Sequence, residues 1–248
     1  MIYPFVENIR YGDRSLPFCI ADEIGYHWYV AVGNNYTGFR ERCIYLIEPG
    51  SHVVDCGSHH GLMTVLFGQK AGPAGRVTAF DALPFNAGVV QRNAELNGLA
   101  NVVTHGKAVG QKTGTHKVLA PHSNVILNDI NVHAPDGDLV VEVIALDDAD
   151  LGKVDFLKID VEGHEVAALK GARGVLQQLP FIDIEIHNFM QVDARAHCFA
   201  IMEALPAGGY VFSIDEDPEW HEAHEIDMNY LIGLPNPHLL AKPKQRML

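Results

Sequence analysis

A glycine-containing stretch, VVDCGSHHG at residues 53–61, has the pattern of a buried strand that turns into a helix. Asp55 precedes the first glycine, Gly57, and Gly61 closes the turn, so the spacing is DxGxxxG and not the GxGxxG of dinucleotide-binding loops. Glycine at such a turn allows the backbone to approach a ligand closely. Because an acidic side chain here opposes an anionic pyrophosphate, the loop favours a ligand with a positive centre.

A second acidic residue, Asp81, ends the next predicted strand in the segment RVTAFDALPFN. A carboxylate at this position can accept hydrogen bonds from the hydroxyl groups of a ribose. S-adenosylmethionine carries a ribose, a sulfonium and an α-ammonium group, so it fits both the glycine loop and Asp81. The spacing alone does not separate this methyl donor from NAD, and an ordinary turn followed by a helix N-terminal acid has the same pattern.

The segment VDFLKIDVEGHEVAALKGA, at residues 154–172, predicts a strand that ends at Asp160 and a loop that carries Glu162. In open α/β sheets, ligands bind outside the carboxyl ends of the strands. We therefore expect Asp160 and Glu162 to face the same crevice as Asp55 and Asp81. Acidic groups there can bind an ammonium group of the donor, orient an acceptor or accept a proton.

Three polar side chains alternate with isoleucines in FIDIEIHNF, at residues 181–189. Asp183, Glu185 and His187 therefore project from one face of the predicted strand. A solvated sheet face has the same pattern, although central strands are usually covered on both faces. Together with Asp160, Glu185 and His187 can deprotonate a hydroxyl group, or bind a divalent metal that lowers its pKa. We expect no metal, because nothing in the sequence fixes the distances between these side chains.

These segments together resemble the FkbM family of S-adenosylmethionine-dependent methyltransferases. The resemblance rests on VVDCGSHHG for the family's DxGxxxG loop, AFDALPFN for its acidic-x-x-Pro-x-Asn stretch, VIALDD before the fourth strand, DFLKIDVEGHEVAALKG for its hallmark segment, and IEIH at 184–187. It implies a seven-stranded sheet with a reversed last strand. It also implies O-methylation, mostly of hydroxyl groups on sugars and natural products.

The glycine loop departs from the family pattern at Ser58, His59 and His60, where the family usually has Ala-Asn followed by an apolar residue. We expect His59 to contact the methionine end of the donor in place of the asparagine, and His60 to pack at the start of the helix. Adjacent loop residues usually point in different directions, so the two histidines are not expected to bind one metal ion. Asp81 stands where the family often has glutamate, and either carboxylate can bind a ribose.

Apolar runs alternate with helical patterns from about residue 50 onward, which predicts βα units around a parallel sheet. Strands are predicted at 52–56, 76–80, 101–105, 154–160, 181–187, 210–214 and 229–233, and helices at 37–47, 60–70, 84–97 and 164–178. Strict alternation predicts a β-hairpin insertion at about 110–148. With the resemblance, the fold class is α/β: a Rossmann-like, seven-stranded class I methyltransferase sheet, mainly parallel with a reversed last strand. Residues 1–50 are predicted to cap the sheet of a methyltransferase domain at 51–248.

The chain of 248 residues has 18 Lys and Arg against 31 Asp and Glu, a formal net charge of −13. Such a field repels phosphate backbones and anionic membranes, so neither nucleic acid nor a membrane is an expected partner. No apolar run approaches the roughly 20 residues that span a bilayer. The four cysteines form no CxxC pair, and a cytoplasmic location is expected.

We predict transfer of the methyl group of S-adenosylmethionine to a hydroxyl group of a sugar or natural-product small molecule. His187 or Glu185 is expected to be the base, with Asp160 near the methionine end of the donor. The predicted donor-binding residues are Asp55, Gly57, Ser58, His59, Gly61, Asp81, Ala108, Asp160 and Glu162. Two alternatives stay open: a nicotinamide-dependent oxidoreductase, and a non-catalytic domain that only binds S-adenosylmethionine.

Overall fold

The computed structural model describes residues 2–31, 37–118 and 139–246. Its N-terminal part is an antiparallel hairpin followed by short helices. The elements are β1 (Phe5–Tyr11), β2 (Arg14–Ile20), α1 (Glu23–Tyr26), a π-helical turn at His27–Ala31, and α2 (Thr37–Tyr45). The helix predicted at 37–47 is therefore confirmed.

Seven strands form the central sheet. In chain order, the remaining elements are β3 (His52–Cys56), α3 (Leu62–Ala71), β4 (Arg76–Asp81), α4 (Pro84–Leu96), β5 (Val102–Gly106), β6 (Ala108–Val109), β7 (Gly114–Val118), β8 (Leu139–Ile144), β9 (Phe156–Ile159), α5 (Glu165–Lys170), α6 (Arg173–Gln177), β10 (Phe181–Glu185), α7 (Ala194–Ala204), β11 (Tyr210–Ile214), α8 (Met228–Gly233) and β12 (His238–Pro243). The strand order is β11-β12-β10-β9-β3-β4-β5. β12 runs antiparallel to β10 and β11, and the other neighbours are parallel. The predicted mainly parallel sheet with a reversed last strand is confirmed.

The strand predicted at 229–233 is wrong, because this segment forms helix α8. The Asp227 side chain accepts hydrogen bonds from the backbone amides of Asn229 and Tyr230, which is an N-cap that starts a helix. A short apolar run such as NYLIG does not distinguish a strand from a helix by periodicity. The reversed strand is β12, which follows the prolines at 235 and 237.

The single helix predicted at 164–178 is divided into α5 and α6. The break lies at Gly171, where a Cβ atom would overlap the backbone carbonyl oxygen of Gly110. Close backbone contact with the base of the insertion therefore requires glycine at this position.

The base of the predicted insertion at about 110–148 forms a small three-stranded sheet. β7 pairs antiparallel with β8, and β6 pairs parallel with β8. Residues 119–138 of the insertion lie outside the described residues.

Apolar side chains cover both faces of the central strands. On one face, the N-terminal hairpin contributes Tyr11 and Phe18 to a buried cluster that also contains Val53 and Phe67. Burial of each large apolar side chain stabilises the fold by about 1.5–3 kcal/mol. All four cysteine thiols are free and buried. In the described parts of the chain, no helix has the length and apolar character to cross a membrane.

Candidate active site

The glycine loop after β3 packs directly against the loop after β9. Gly57 and Gly61 have φ angles of 82° and 87°, in the left-handed region that favours glycine. A Cβ atom on Gly57 would overlap the backbone carbonyl oxygen of Asp160, and the Asp160 amide donates a hydrogen bond to the Cys56 carbonyl at 3.0 Å. The first glycine is therefore required for contact between these two strand-end loops.

Asp81 connects the glycine loop to the end of β4. Its Oδ2 accepts a hydrogen bond from the His59 amide at 2.8 Å, while Oδ1 accepts from the Leu83 amide at 3.0 Å and from Asn86 Nδ2 at 2.9 Å. Burial raises the pKa of this carboxyl group to about 7. Since a carboxylate oxygen can accept more than one hydrogen bond, Oδ2 can still accept from a ribose hydroxyl group.

Asp55 lies beneath the glycine loop, not on its surface. Its side chain is fully buried, accepts a hydrogen bond from Thr64 Oγ1, and has Oδ1 3.6 Å from Lys158 Nζ. Burial raises the pKa of Asp55, an effect that Lys158 opposes. Any effect of Asp55 on a bound donor would therefore act through Thr64 and Lys158.

A row of charged side chains crosses the centre of the sheet. Lys158 on β9 pairs in register with Asp55 on β3 and with Asp183 on β10, and all three are almost completely buried. The Lys158 ammonium group also binds Asp160 Oδ2 at 2.9 Å. Burial opposes a charged lysine, but the carboxylates of Asp160 and Asp55 raise its pKa. Asp183 is only 1% exposed, so the alternative of a solvated sheet face is wrong.

The two loop histidines are stacked face to face. The ring centroids of His59 and His60 are 4.3 Å apart with an interplanar angle of 2°, so the expectation that they point in different directions is wrong. Tyr29, from the π-helical turn, forms a hydrogen bond with His59 Nδ1 at 2.7 Å. Burial lowers the pKa of His59 to about 4, and burial together with the neighbouring His59 lowers the pKa of His60. His60 is fully buried, in agreement with a packing role.

Four predicted side chains meet at the carboxyl ends of β9 and β10. The ligand atoms of Asp160, Glu185 and His187 all lie within 4.8 Å of one another. His187 Nε2 lies 3.7 Å from Asp160 Oδ1 and 3.4 Å from Glu162 Oε2. We call this group the strand-end cluster (Asp160, Glu162, Glu185 and His187).

A buried carboxylate holds the histidine of the strand-end cluster. Glu165 is fully buried, and its Oε1 accepts a hydrogen bond from His187 Nδ1 at 2.8 Å. Its Oε2 lies at hydrogen-bond distance, 2.9 Å, from His197 Nε2. Burial opposes a charged imidazole, but the Glu165 hydrogen bond and the Asp160 carboxylate raise the pKa of His187 to about 9. Glu165 therefore fixes the orientation of the His187 imidazole and stabilises its protonated form.

The surroundings of Glu185 disfavour its charged form, whereas those of His187 favour its charged form. Burial and the nearby Asp160 carboxylate raise its pKa to about 7, while His238, with Nε2 3.6 Å from Glu185 Oε2, opposes the shift. His238 also pairs with Asp183 at 3.0 Å. Burial opposes the charged form of His238, but Asp183 raises its pKa to about 8. The strand-end cluster therefore combines a carboxyl group whose pKa lies near neutrality, Glu185, with one imidazole whose protonated form is stabilised, His187.

Ser58 and Ala108 are the remaining predicted donor-site residues. Ser58 Oγ donates to the Phe80 carbonyl at 3.3 Å, on the same β4 strand end as Asp81. Ala108, in β6, is buried in a small apolar cluster with Leu83 and Val141. Their contacts with a donor remain predictions.

Sequence reasoning missed Lys158, Glu165 and Tyr29. A single lysine inside the apolar run DFLKI signals a paired buried charge, and this signal could have been used. Glu165 is part of the same motif as Glu162, but its pairing with His187 depends on a contact between distant segments. Tyr29 lies outside every motif in the sequence.

A family model and two relatives match parts of this chain. A model of the methyltransferase FkbM domain matches residues 55–212, a range that contains the glycine loop and the strand-end cluster. Methyltransferase 1 of Beauveria bassiana is 27% identical over 80% of this chain and 87% of its own length. The hexuronic acid methyltransferase AglP of Haloferax volcanii is 36% identical over 74 residues, which are 30% of this chain and 26% of that protein.

Solved structures agree on the fold. The crystal structure of methyltransferase FkbM from Methylobacillus flagellatus KT aligns with a TM-score of 0.50 at 19% identity, covering 83% of this chain and 51% of that chain.

Proposed function

Because this chain belongs to the methyltransferase FkbM family, and is therefore a methyltransferase, we propose that it transfers the methyl group of S-adenosylmethionine to a hydroxyl group of a small molecule. The direct packing of the glycine loop against the strand-end cluster supports this proposal. The glycine loop, with Asp81 bonded to it, lies against the backbone of Asp160, which belongs to the strand-end cluster. A donor in the glycine loop and an acceptor at the cluster would be neighbours.

Asp81 and the glycine loop would hold the donor. Oδ2 of Asp81 is fixed by the His59 amide, so it is oriented before a ribose arrives. The carboxylates of Asp160 and Glu162 follow β9, and their partly exposed side chains would attract the donor's ammonium group. The donor brings its own activation, because the sulfonium is a good leaving group. The chain therefore mainly aligns the acceptor oxygen, the methyl carbon and the sulfur.

The strand-end cluster would bind the acceptor hydroxyl group and take its proton. The side chains of Asp160 and Glu185 are 25% and 22% exposed, whereas that of His187 is 3% exposed. The two carboxylates can therefore reach an incoming hydroxyl group, while His187 is fixed behind them. A neutral alcohol is a weak nucleophile near pH 7, so proton removal within hydrogen-bond distance would accelerate the transfer.

A sugar or another polyhydroxylated molecule is the acceptor class we propose. The similarity to AglP, a hexuronic acid methyltransferase, supports a sugar acid as the acceptor. The net charge of −13 argues against nucleic acid as the acceptor. We also propose that residues 1–50 act as part of the same domain, because the N-terminal hairpin shares its apolar cluster with β3 and α3.

Calorimetry with S-adenosylhomocysteine tests the donor site. Asp81→Asn keeps the shape of the side chain but removes its charge, and it should weaken binding about 10- to 100-fold, as expected for loss of a charge-assisted hydrogen bond. Asp150→Ala removes an exposed carboxylate away from the crevice and should leave the affinity unchanged. Unchanged affinity in the Asp81 variant, or binding of NAD in place of S-adenosylhomocysteine, would overturn the proposed donor site.

A further inference from the structure

We infer that the strand-end cluster is a binding site for a divalent transition-metal ion, with Asp160, Glu185 and His187 as ligands and Glu162 beside them. Ion binding itself is independent of the reaction. The catalytic consequence rests on the proposed function, because the ion would bind the acceptor hydroxyl group.

The distances in the strand-end cluster approach those between the ligands of one ion. His187 Nε2 lies 3.4 Å from Glu162 Oε2 and 3.7 Å from Asp160 Oδ1, and both distances exceed the usual 2.7–2.9 Å of a charge-assisted hydrogen bond. Ligands at about 2.1 Å from a tetrahedral ion are about 3.4 Å apart. A small rotation of the carboxylates would bring three ligand atoms, now within 4.8 Å of one another, to one ion.

The second observation is the support behind His187. Glu165 accepts a hydrogen bond from Nδ1 at 2.8 Å, so Nδ1 carries a proton and Nε2 is directed at the cluster. His187 is only 2% exposed, and the carboxylates of Asp160 and Glu162 lie 3.7 and 3.4 Å from its Nε2. Glu165 is itself fixed by the Gly163 amide at 2.8 Å and by His197. Carboxylate–histidine pairs of this kind orient metal-binding imidazoles in proteins.

Asp160 also divides its two oxygens between two partners. Oδ2 binds Lys158 Nζ at 2.9 Å, while Oδ1 is the atom that faces His187. The lysine therefore fixes the carboxylate and leaves one oxygen for the ion. Lys158 also lies 3.6 Å from Asp55 Oδ1, so its positive charge is shared between the two carboxylates.

The ligand set favours some ions over others. One imidazole nitrogen with two or three carboxylate oxygens suits Mn²⁺, Zn²⁺ or Fe²⁺ better than Mg²⁺ or Ca²⁺, which prefer oxygen alone. The remaining coordination positions would take the acceptor, and coordination lowers the pKa of a hydroxyl group. In the transfer, the oxygen–methyl bond forms as the sulfur–methyl bond breaks, S-adenosylhomocysteine leaves, and the hydroxyl proton passes through the carboxylates of the strand-end cluster to solvent.

Titration of MnCl₂ into the chelator-treated full chain, followed by calorimetry and by Mn²⁺ spin resonance, tests the site directly. We expect one ion per chain in the wild type and loss of this ion in Glu185→Gln. Glu165→Gln should weaken binding about 10- to 100-fold, because it disturbs the orientation of His187 without removing a ligand. His221→Gln is the matched control, since His221 pairs with Asp217 at 2.9 Å outside the cluster.

Circular dichroism would establish that each variant is folded. Failure of the folded wild type to bind Mn²⁺ or Zn²⁺, or equal binding by the folded Glu185→Gln variant, would overturn the inference.

Methyl transfer measured after chelation separates the two proposals. Loss of activity that MnCl₂ or ZnCl₂ restores supports the metal site. Full activity after chelation overturns the catalytic role of the ion and leaves the proposed function intact. Binding of the ion without binding of S-adenosylhomocysteine supports the metal site and overturns the proposed function.

Discussion

Replacement of His60 by leucine should make the protein less sensitive to acid. His60 is fully buried against the His59 ring, and its Nε2 lies 3.7 Å from Asp22 Oδ1. Tyr29 packs against the same pair, with its ring 5.9 Å from that of His60. Neither ring nitrogen of His60 has a hydrogen-bond partner among the described residues, so its charged form is poorly solvated in the folded chain.

The size of the effect follows from the pKa difference between the folded and unfolded chains. Burial lowers the pKa of His60 from 6.5 to about 3, so below pH 6.5 the unfolded chain binds a proton that the folded chain does not. The free energy of unfolding is therefore not reduced by His60 above pH 6.5, and it decreases as the pH falls below this value. At about pH 5, roughly 1.5 units below the unfolded pKa, the loss is about 2 kcal/mol. This value is insensitive to the folded pKa as long as that pKa stays below about 4.

Urea denaturation at about pH 8 and about pH 5 measures the effect. Between these pH values, the wild type should lose about 2 kcal/mol more of its free energy of unfolding than His60→Leu does. His224→Gln, which changes an exposed histidine, should behave like the wild type. Equal pH dependence in the wild type and in His60→Leu would mean that His60 is protonated in the folded chain as readily as in the unfolded chain, which contradicts this prediction.

Two further substitutions test the contacts beneath the crevice. Lys158→Met should lower the free energy of unfolding, measured with urea, by about 3–5 kcal/mol, because the buried carboxylates around Lys158 lose their cation. The control Lys153→Met changes an exposed lysine and should alter the free energy of unfolding little. A loss of the same size in both variants would contradict this. Gly57→Ala should lower the free energy of unfolding by about 2–4 kcal/mol, and by more than Gly72→Ala does. Both residues have a positive φ, but of the two only Gly57 lies where a Cβ atom would overlap backbone. Equal decreases of the melting temperature in the two variants would contradict the close contact at Gly57.

The sequence predicted the parts of the molecule that depend on local pattern. Strands β3, β4, β9 and β10 are rich in apolar residues, and acidic residues at or next to their carboxyl ends mark one edge of the sheet. The rule that parallel strands present their carboxyl ends together was enough to predict that Asp160, Glu185 and His187 would meet.

The rest of the site depends on contacts that no local pattern encodes. The reversed strand was misplaced because two short apolar segments near the C-terminus compete for the same role, and the N-cap at Asp227 decides in favour of a helix for the first. The stacking of His59 on His60 depends on Tyr29 and on Gly25, where a Cβ atom would overlap the His60 ring. Both of these residues come from the N-terminal cap, which no motif connects to the loop.

The most direct test of the proposed function is transfer of a radiolabelled methyl group from S-adenosylmethionine to sugars and sugar acids by the full chain. We expect labelled product in which the methyl group is bound to oxygen, and strong loss of this product in Asp81→Asn at donor concentrations below saturation. Tight binding of the donor without labelled product across hydroxylated acceptors would contradict it, as would a product methylated on nitrogen or carbon.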